Sequence, residues 1–183
     1  MTHSEDIISS ITQLQKRYEN TLPPVDDWNP EFNGDLDMRI DREGRWFYQG
    51  GEIKRSAMVK MFSSILRREE DDYYLLTPVE KWRIQVEQAP FLMVAMRVEN
   101  AGAEDQCIVL QTNVGNEVLL GRDNPLWLVE SDRGEQLPMI EVRSGLPGLL
   151  SRSVFYEMVE QVAREEGGRY FVESCGEKFY LQS

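Results

Sequence analysis

RSAMVKMFSSILRREEDDYYLLTPVEKWRIQ, residues 55–85, and RSVFYEMVEQVAREEGGRYFVESCGEKFYLQ, residues 152–182, lie on one another without a gap when the chain is shifted by 97 positions. Nine of the 31 pairs are identical: Arg55/Arg152, Ser56/Ser153, Met61/Met158, Arg67/Arg164, Glu69/Glu166, Tyr73/Tyr170, Glu80/Glu177, Lys81/Lys178 and Gln85/Gln182. Residue frequencies alone would give about two. Met58, Met61, Phe62, Ile65 and Leu66 follow the i, i+3, i+4, i+7, i+8 spacing of a helix with one buried face, and Phe155, Met158, Val159, Val162 and Ala163 stand at the same five places. The pattern predicts two helices of roughly three turns. Ser56 and Ser153 are their expected caps, and Gly167-Gly168 is the stop of the second.

Outward from each helix, YYLLT (73–77) and YFVES (170–174) read as short strands. Each is followed by a Glu-Lys turn and a second strand with period-two alternation, Trp82, Ile84 and Val86 in one copy and Phe179 and Leu181 in the other. Upstream, LDMRI, Asp41-Arg42-Glu43-Gly44 and RWFYQ form a hairpin signal that returns as LWLVE, Ser131-Asp132-Arg133-Gly134 and PMIEV. The unit is hairpin, helix, hairpin, used twice. FLMVAMRVEN and QCIVLQTNVGNEVLL, between the copies, add strands to the second half. The fold class is α+β, with two similar domains from an internal duplication. The expected divisions are an amphipathic helix at 1–21, which packs on the body or meets a partner, a first domain at 22–90 and a β-rich second domain at 91–183.

The chain of 183 residues carries 20 Lys and Arg against 32 Asp and Glu, a net charge of −12. That field repels phosphate backbones, which argues against non-specific nucleic-acid binding and anionic-membrane docking and leaves room for a small anion in a local basic pocket. The single histidine, His3, falls in the N-terminal tail, which disfavours histidine zinc sites, Ser-His-Asp triads and Cys-His pairs. Cys107 and Cys175 lack CxxC spacing and read as reduced, buried small residues rather than a disulfide. With no secretory leader pattern and no apolar run near the ~20 residues of a bilayer span, a cytoplasmic protein is expected.

No phosphate-loop, dinucleotide, zinc-protease, esterase or calcium-loop motif is present. Glu69-Glu70-Asp71-Asp72 reads as a solvated turn at a helix end. Three constellations remain. Gly50-Gly51-Glu52-Ile53-Lys54-Arg55-Ser56 and Gly145-Leu146-Pro147-Gly148-Leu149-Leu150-Ser151-Arg152-Ser153 are glycine-containing loops leading into helices, where orphan amides and an Arg fork suit a phosphate. The commoner reading is that the serines cap and the glycines turn. Trp46, Tyr48 and Trp82, with Arg39 or Arg83 beside them, would stack a nucleobase, unless the tryptophans fill the core or an interface. Thr112 and Asn113 would read polar groups of a ligand, or simply make a hairpin turn.

RIDREGRWFYQGGEIKRSAMVKMFSSILRRE, YYLLTPVEKWRIQVEQAPF, TNVGNEV and RSVFYEMVE resemble an uncharacterised bacterial family, domain of unknown function 1285, from about Asp35 to the C-terminus. The resemblance implies two α+β domains from a duplicated motif and a C-terminal domain whose enlarged antiparallel sheet is pleckstrin-homology-like. It also implies a cleft between the domains taking a nucleotide-like ligand, and a role in bacterial signal transduction. Together these readings favour a non-enzymatic, regulatory protein that binds a small anionic ligand. The rivals are a protein-protein interaction adaptor and a metal-dependent phosphoester hydrolase.

Overall fold

The computed structural model describes His3–Gln182; Met1, Thr2, Ser183 and the side chains of residues 3–6, that of His3 among them, lie outside the described residues. The chain divides into two units, Met1–Gln88 and Ala89–Ser183.

Unit 1 starts with α1 (His3–Arg17), which stops short of Pro23-Pro24, and α1 lies against α2 (Ser56–Ser64). Its apolar face, Ile7, Ile11 and Leu14, is buried, so it is part of the body and not a free arm. A short 3-10 turn (Val25–Asp27) leads to β1 (Phe32–Ile40), β2 (Trp46–Tyr48) and β3 (Gly51–Glu52). After α2 come β4 (Leu66–Glu69), β5 (Asp72–Leu76) and β6 (Lys81–Val86). They form one six-stranded sheet in the order β3-β2-β1-β6-β5-β4, antiparallel except where β1 runs parallel to β6. Trp46 stacks on Phe62 with ring centroids 6.0 Å apart, and Met38, Ile40, Ile65, Leu75 and Ile84 complete the buried layer.

Unit 2 opens with β7 (Phe91–Glu99), β8 (Cys107–Thr112) and β9 (Glu117–Leu119). Then come β10 (Leu126–Glu130), β11 (Gln136–Arg143), β12 (Leu146–Leu150) and α3 (Arg152–Val162). The chain closes with β13 (Arg164–Glu166), β14 (Arg169–Ser174) and β15 (Glu177–Tyr180). β10-β11-β12-β7-β8-β9 make a six-stranded sheet with one parallel pair, β12 and β7, so the enlarged sheet is mixed and not purely antiparallel. β13-β14-β15 form a sheet of their own.

Both helices end sooner than their apolar spacing predicts. α2 stops at Ser64 and Leu66 is already in a strand; α3 stops at Val162 and Ala163 is extended. The five-residue pattern continues through the bend because the first strand residue faces the same core as the helix. Glu70 and Asp71 are therefore the tip of the β4–β5 hairpin, not a helix end, and Gly167-Gly168 is the tip of β13–β14, not a helix stop.

The offset of 97 recurs as geometry. Arg67 faces Tyr74 across β4–β5 and Arg164 faces Phe171 across β13–β14; Leu76 faces Lys81 and Glu173 faces Lys178. Lys81 pairs with Glu69 and sits 4.5 Å from the centre of the Tyr74 ring, and Lys178 pairs with Glu166 and sits 4.5 Å from the centre of the Phe171 ring. In unit 1 Arg67 adds to the clamp, donating to Glu69 and to the Trp28 carbonyl at 2.6 Å, which ties the 3-10 turn to the edge of β4. The upstream turns repeat at an offset of 90. Asp41 Oδ1 accepts from the amides of Glu43 and Arg45, and Ser131 Oγ accepts from those of Arg133 and Glu135, with Gly44 and Gly134 at φ 76° and 75°.

Lys81, and then Arg67, hold the Glu69 carboxyl below its ordinary value of 4.5 against the opposing effect of burial. A lowered folded pKa means stability that is present above about pH 4.5 and lost as pH falls below it. Glu69→Gln should thus be less stable than the parent at pH 7 and lose less on acidification, read by urea unfolding followed through tryptophan fluorescence. Gly148 on β12 leads to a second expectation. A Cβ there would lie 2.6 Å from Met93 Sδ and 3.0 Å from Val142 Cγ2, and Met93 is fully buried. Gly148→Ala should cost about 1–3 kcal/mol by overpacking, measured as a lower urea midpoint.

Candidate functional site

The two glycine-containing loops differ once folded. In unit 2, Leu146–Leu150 is the strand β12 inside the sheet, and Leu146, Pro147, Gly148 and Leu150 are buried. Gly148 is there for its close approach to Met93, not for a phosphate. The α3 start is closed: Ser151, one residue before the helix, accepts from the Val154 amide at 3.3 Å, so the cap is Ser151 and not Ser153. Ser153 contacts Ser151 Oγ at 3.2 Å, and the exposed Arg152 reaches Glu135 at 3.9 Å. The predicted second cradle is absent because the apolar Leu-Pro-Gly-Leu-Leu run is taken by the sheet.

In unit 1 the helix start is open. Arg55 is the residue before α2, extended at φ −74° and ψ 108°, and among the described residues no side chain caps the first turn. Ser56 is already helical, so it does not cap either. Lys54, Arg55 and Ser56 are all exposed. Among the described residues no acidic group is within ion-pair distance of Lys54 or Arg55, whereas Arg39, Arg45, Arg67, Arg83, Arg97, Arg122, Arg152 and Arg164 each meet a carboxylate. The uncapped amides and the positive end of the α2 dipole add to these two cations.

The aromatic and arginine candidates of unit 1 come together only in part. Trp46 is 1% exposed against Phe62 and is core, not a stacking platform. Tyr48 and Trp82 line one hollow of about 320 Å³ with Asn33, Gly34, Asp35 and Asp37. Arg83 lines an adjoining hollow of about 490 Å³ with Asp35, Asp71, Asp72 and Tyr73. Arg83 is neutralised there: Nε and Nη2 donate to Asp35 at 2.6 and 3.1 Å, and Asp72 lies 3.7 Å away. The guanidinium holds the Asp35 carboxyl below its ordinary value, and Asp35 in turn raises Arg83. Arg39 lies 4.2 Å over the Phe47 ring and pairs with Glu87 at 2.9 Å. The carboxylates of these hollows disfavour an anion. Asp71 and Asp72 stood out in sequence only as part of the acidic turn Glu69–Asp72, and Asp35 and Asp37 were not singled out; the signal near them was the glycine of Asn33-Gly34-Asp35, where the β1–β6 register shifts.

Thr112 and Asn113 lie in unit 2 and are used by the backbone. Thr112 Oγ1 accepts from the Asn116 amide at 3.0 Å, and Asn113 Oδ1 accepts from the Leu92 amide at 3.2 Å. Among the described residues no group of three or more His, Cys, Asp or Glu is placed to hold a metal ion. No helix among them is long and apolar enough to cross a membrane.

The chain matches two family models end to end: "Domain of unknown function (DUF1285), N-terminal domain" over residues 23–89, and "Protein of unknown function (DUF1285), C-terminal domain" over 90–181. Among solved structures it is similar to a DUF1285 family protein from Silicibacter pomeroyi, with 44% identity, TM-score 0.84, and 90% of this chain and 89% of that chain covered. A DUF1285 family protein from Shewanella baltica is 28% identical, with TM-score 0.55 and coverage of 69% of this chain and 92% of that one. No curated protein matches the sequence.

The two helix starts differ in a way that can be measured. Ser151→Ala should cost about 1 kcal/mol by removing a cap, while Ser56→Ala should leave stability nearly unchanged, both read from chemical denaturation.

Proposed function

The chain belongs to the DUF1285 family of two-domain α+β proteins, and within it we propose a non-enzymatic, regulatory protein whose first domain binds a small anionic, nucleotide-like ligand in bacterial signal transduction. The observation that carries this reading is the open start of α2: orphan amides, with Lys54 and Arg55 exposed and unmatched by a carboxylate among the described residues, in a chain of net charge −12. An anion there would gain charge-assisted hydrogen bonds from both side chains and the favourable end of the helix dipole. Arg83, Arg39 and Trp46 leave this proposed site, because their partners are already inside the protein. Tyr48 and Trp82 line a separate hollow with Asp35 and Asp37, and neither Lys54 nor Arg55 lines it, so they leave the proposed site too.

The matched registers of β4–β6 and β13–β15, with their equivalent Lys-Glu-aromatic clamps, support descent of both domains from one duplicated unit. The two sheets and single helix of unit 2 support a likeness to the pleckstrin-homology layout; the parallel β12–β7 join and the three strands after α3 are where it departs.

Thermal-shift titration with nucleoside mono-, di- and triphosphates and cyclic nucleotides tests the binding reading. A shift should appear with at least one of them. Lys54→Ala with Arg55→Ala should weaken binding about tenfold or more, while Arg152→Ala leaves it unchanged. No shift with any nucleotide, or full retention in the double variant, overturns it.

A further inference from the structure

Cys107 and Cys175, read from sequence as separate reduced thiols, are joined in a disulfide that closes 68 residues of chain, with Cα atoms 4.9 Å apart. The sequence spacing hides this because β8 and the β14–β15 turn belong to different sheets of unit 2 that meet only in the tertiary structure. Cys107 begins β8, and Cys175 stands exposed on the turn after β14 at φ 52°.

Hydrogen bonds around the pair explain why the two cysteines meet. The fully buried Ser174 hydroxyl accepts from the Ile108 amide at 2.8 Å and donates to the Leu120 carbonyl at 2.6 Å. Gln106 donates its side-chain amide to the Glu173 carbonyl at 2.8 Å, and its own carbonyl accepts from the Cys175 amide at 2.8 Å. The β13–β15 sheet shares no strand ladder with the six-stranded sheet. This turn therefore ties the two sheets with side-chain bonds, one Cys175–Gln106 backbone bond and a single covalent link. The neighbouring bonds keep the cysteines close whether or not the S–S bond exists, so its closure is intramolecular. The exposure of Cys175 gives an external thiol or disulfide access to its sulfur.

We propose that Cys107–Cys175 is a thiol–disulfide switch that locks and releases the β13–β15 sheet of unit 2. The closing reactant is a low-molecular-weight disulfide. The Cys175 thiolate attacks one of its sulfurs and expels one thiolate, and the Cys107 thiolate then attacks Cys175 Sγ in the mixed disulfide and expels the second. The two protein thiols lose two electrons and two protons, and the external disulfide is reduced to two thiols. Opening runs the same steps backwards with a low-molecular-weight thiol. The device is confined to unit 2 and does not depend on the anion site proposed in unit 1.

The test equilibrates the full chain with reduced or oxidised glutathione, blocks free thiols by alkylation, and follows mass and amide hydrogen exchange. Oxidised glutathione should leave both cysteines unalkylated and linked to each other, and reduced glutathione should free both while the protein stays folded. Release should speed exchange roughly tenfold or more at the Ile108, Cys175 and Leu181 amides, with little change in unit 1. Cys107→Ala and Cys175→Ser should each exchange like the reduced protein under both conditions. Three results would overturn the switch: cysteines that stay alkylatable after oxidised glutathione, a bond that survives excess reduced glutathione in the folded protein, and identical exchange in the two forms.

Discussion

The backbone pairing of β1 with β6 is the constraint on which unit 1 depends. Each is an interior strand, so each has amides and carbonyls on both edges that need partners, and a parallel neighbour satisfies them only if the chain crosses over between the two. The crossover is β2, β3, α2, β4 and β5, residues 41–80. In unit 2 the equivalent requirement is met differently. β12 takes its parallel partner from β7, and the three strands after α3 stand apart as their own sheet. The same local parts thus yield one sheet in the first unit and two in the second.

Local chemistry was the most legible part of the chain. Asp41-Arg42-Glu43-Gly44 and Ser131-Asp132-Arg133-Gly134 announce their turns, because a side-chain oxygen at the first position caps two amides and a glycine takes the left-handed position. The strands carrying Lys81 and Lys178 were equally readable from period-two alternation. Helix ends were not, since Ile65 and Leu66 keep facing the core after the backbone has changed from helix to strand. Apolar spacing reports which side a residue faces; hydrogen bonds decide where the helix stops.

The candidate site was half legible for an electrostatic reason. Lys54, Arg55, Arg83 and Arg152 look alike in sequence, but Arg83 is bound by Asp35, 48 residues away, and Arg152 faces Glu135. In so acidic a chain, nine of the fifteen arginines meet a carboxylate among the described residues, and that neutralises them as anion receptors. Only folding shows which cations are left over. The same holds for Trp46 and Trp82. Both sit on aromatic strands, yet one is sealed under Phe62 and the other borders a hollow.

By itself the sequence determined the α+β class, the repeated helix-and-strand unit, the Asp41–Gly44 and Ser131–Gly134 turns and the absence of familiar catalytic motifs. These depend on residues within a few positions of one another, or on plain self-comparison. Tertiary structure decided which strands neighbour which, that Leu146–Leu150 is sheet and not loop, that α1 is packed, and that Cys107 meets Cys175. Each of those rests on contacts between residues far apart in the chain. Period-two alternation marks a strand's two faces but carries no record of the strand on the other side of its hydrogen bonds.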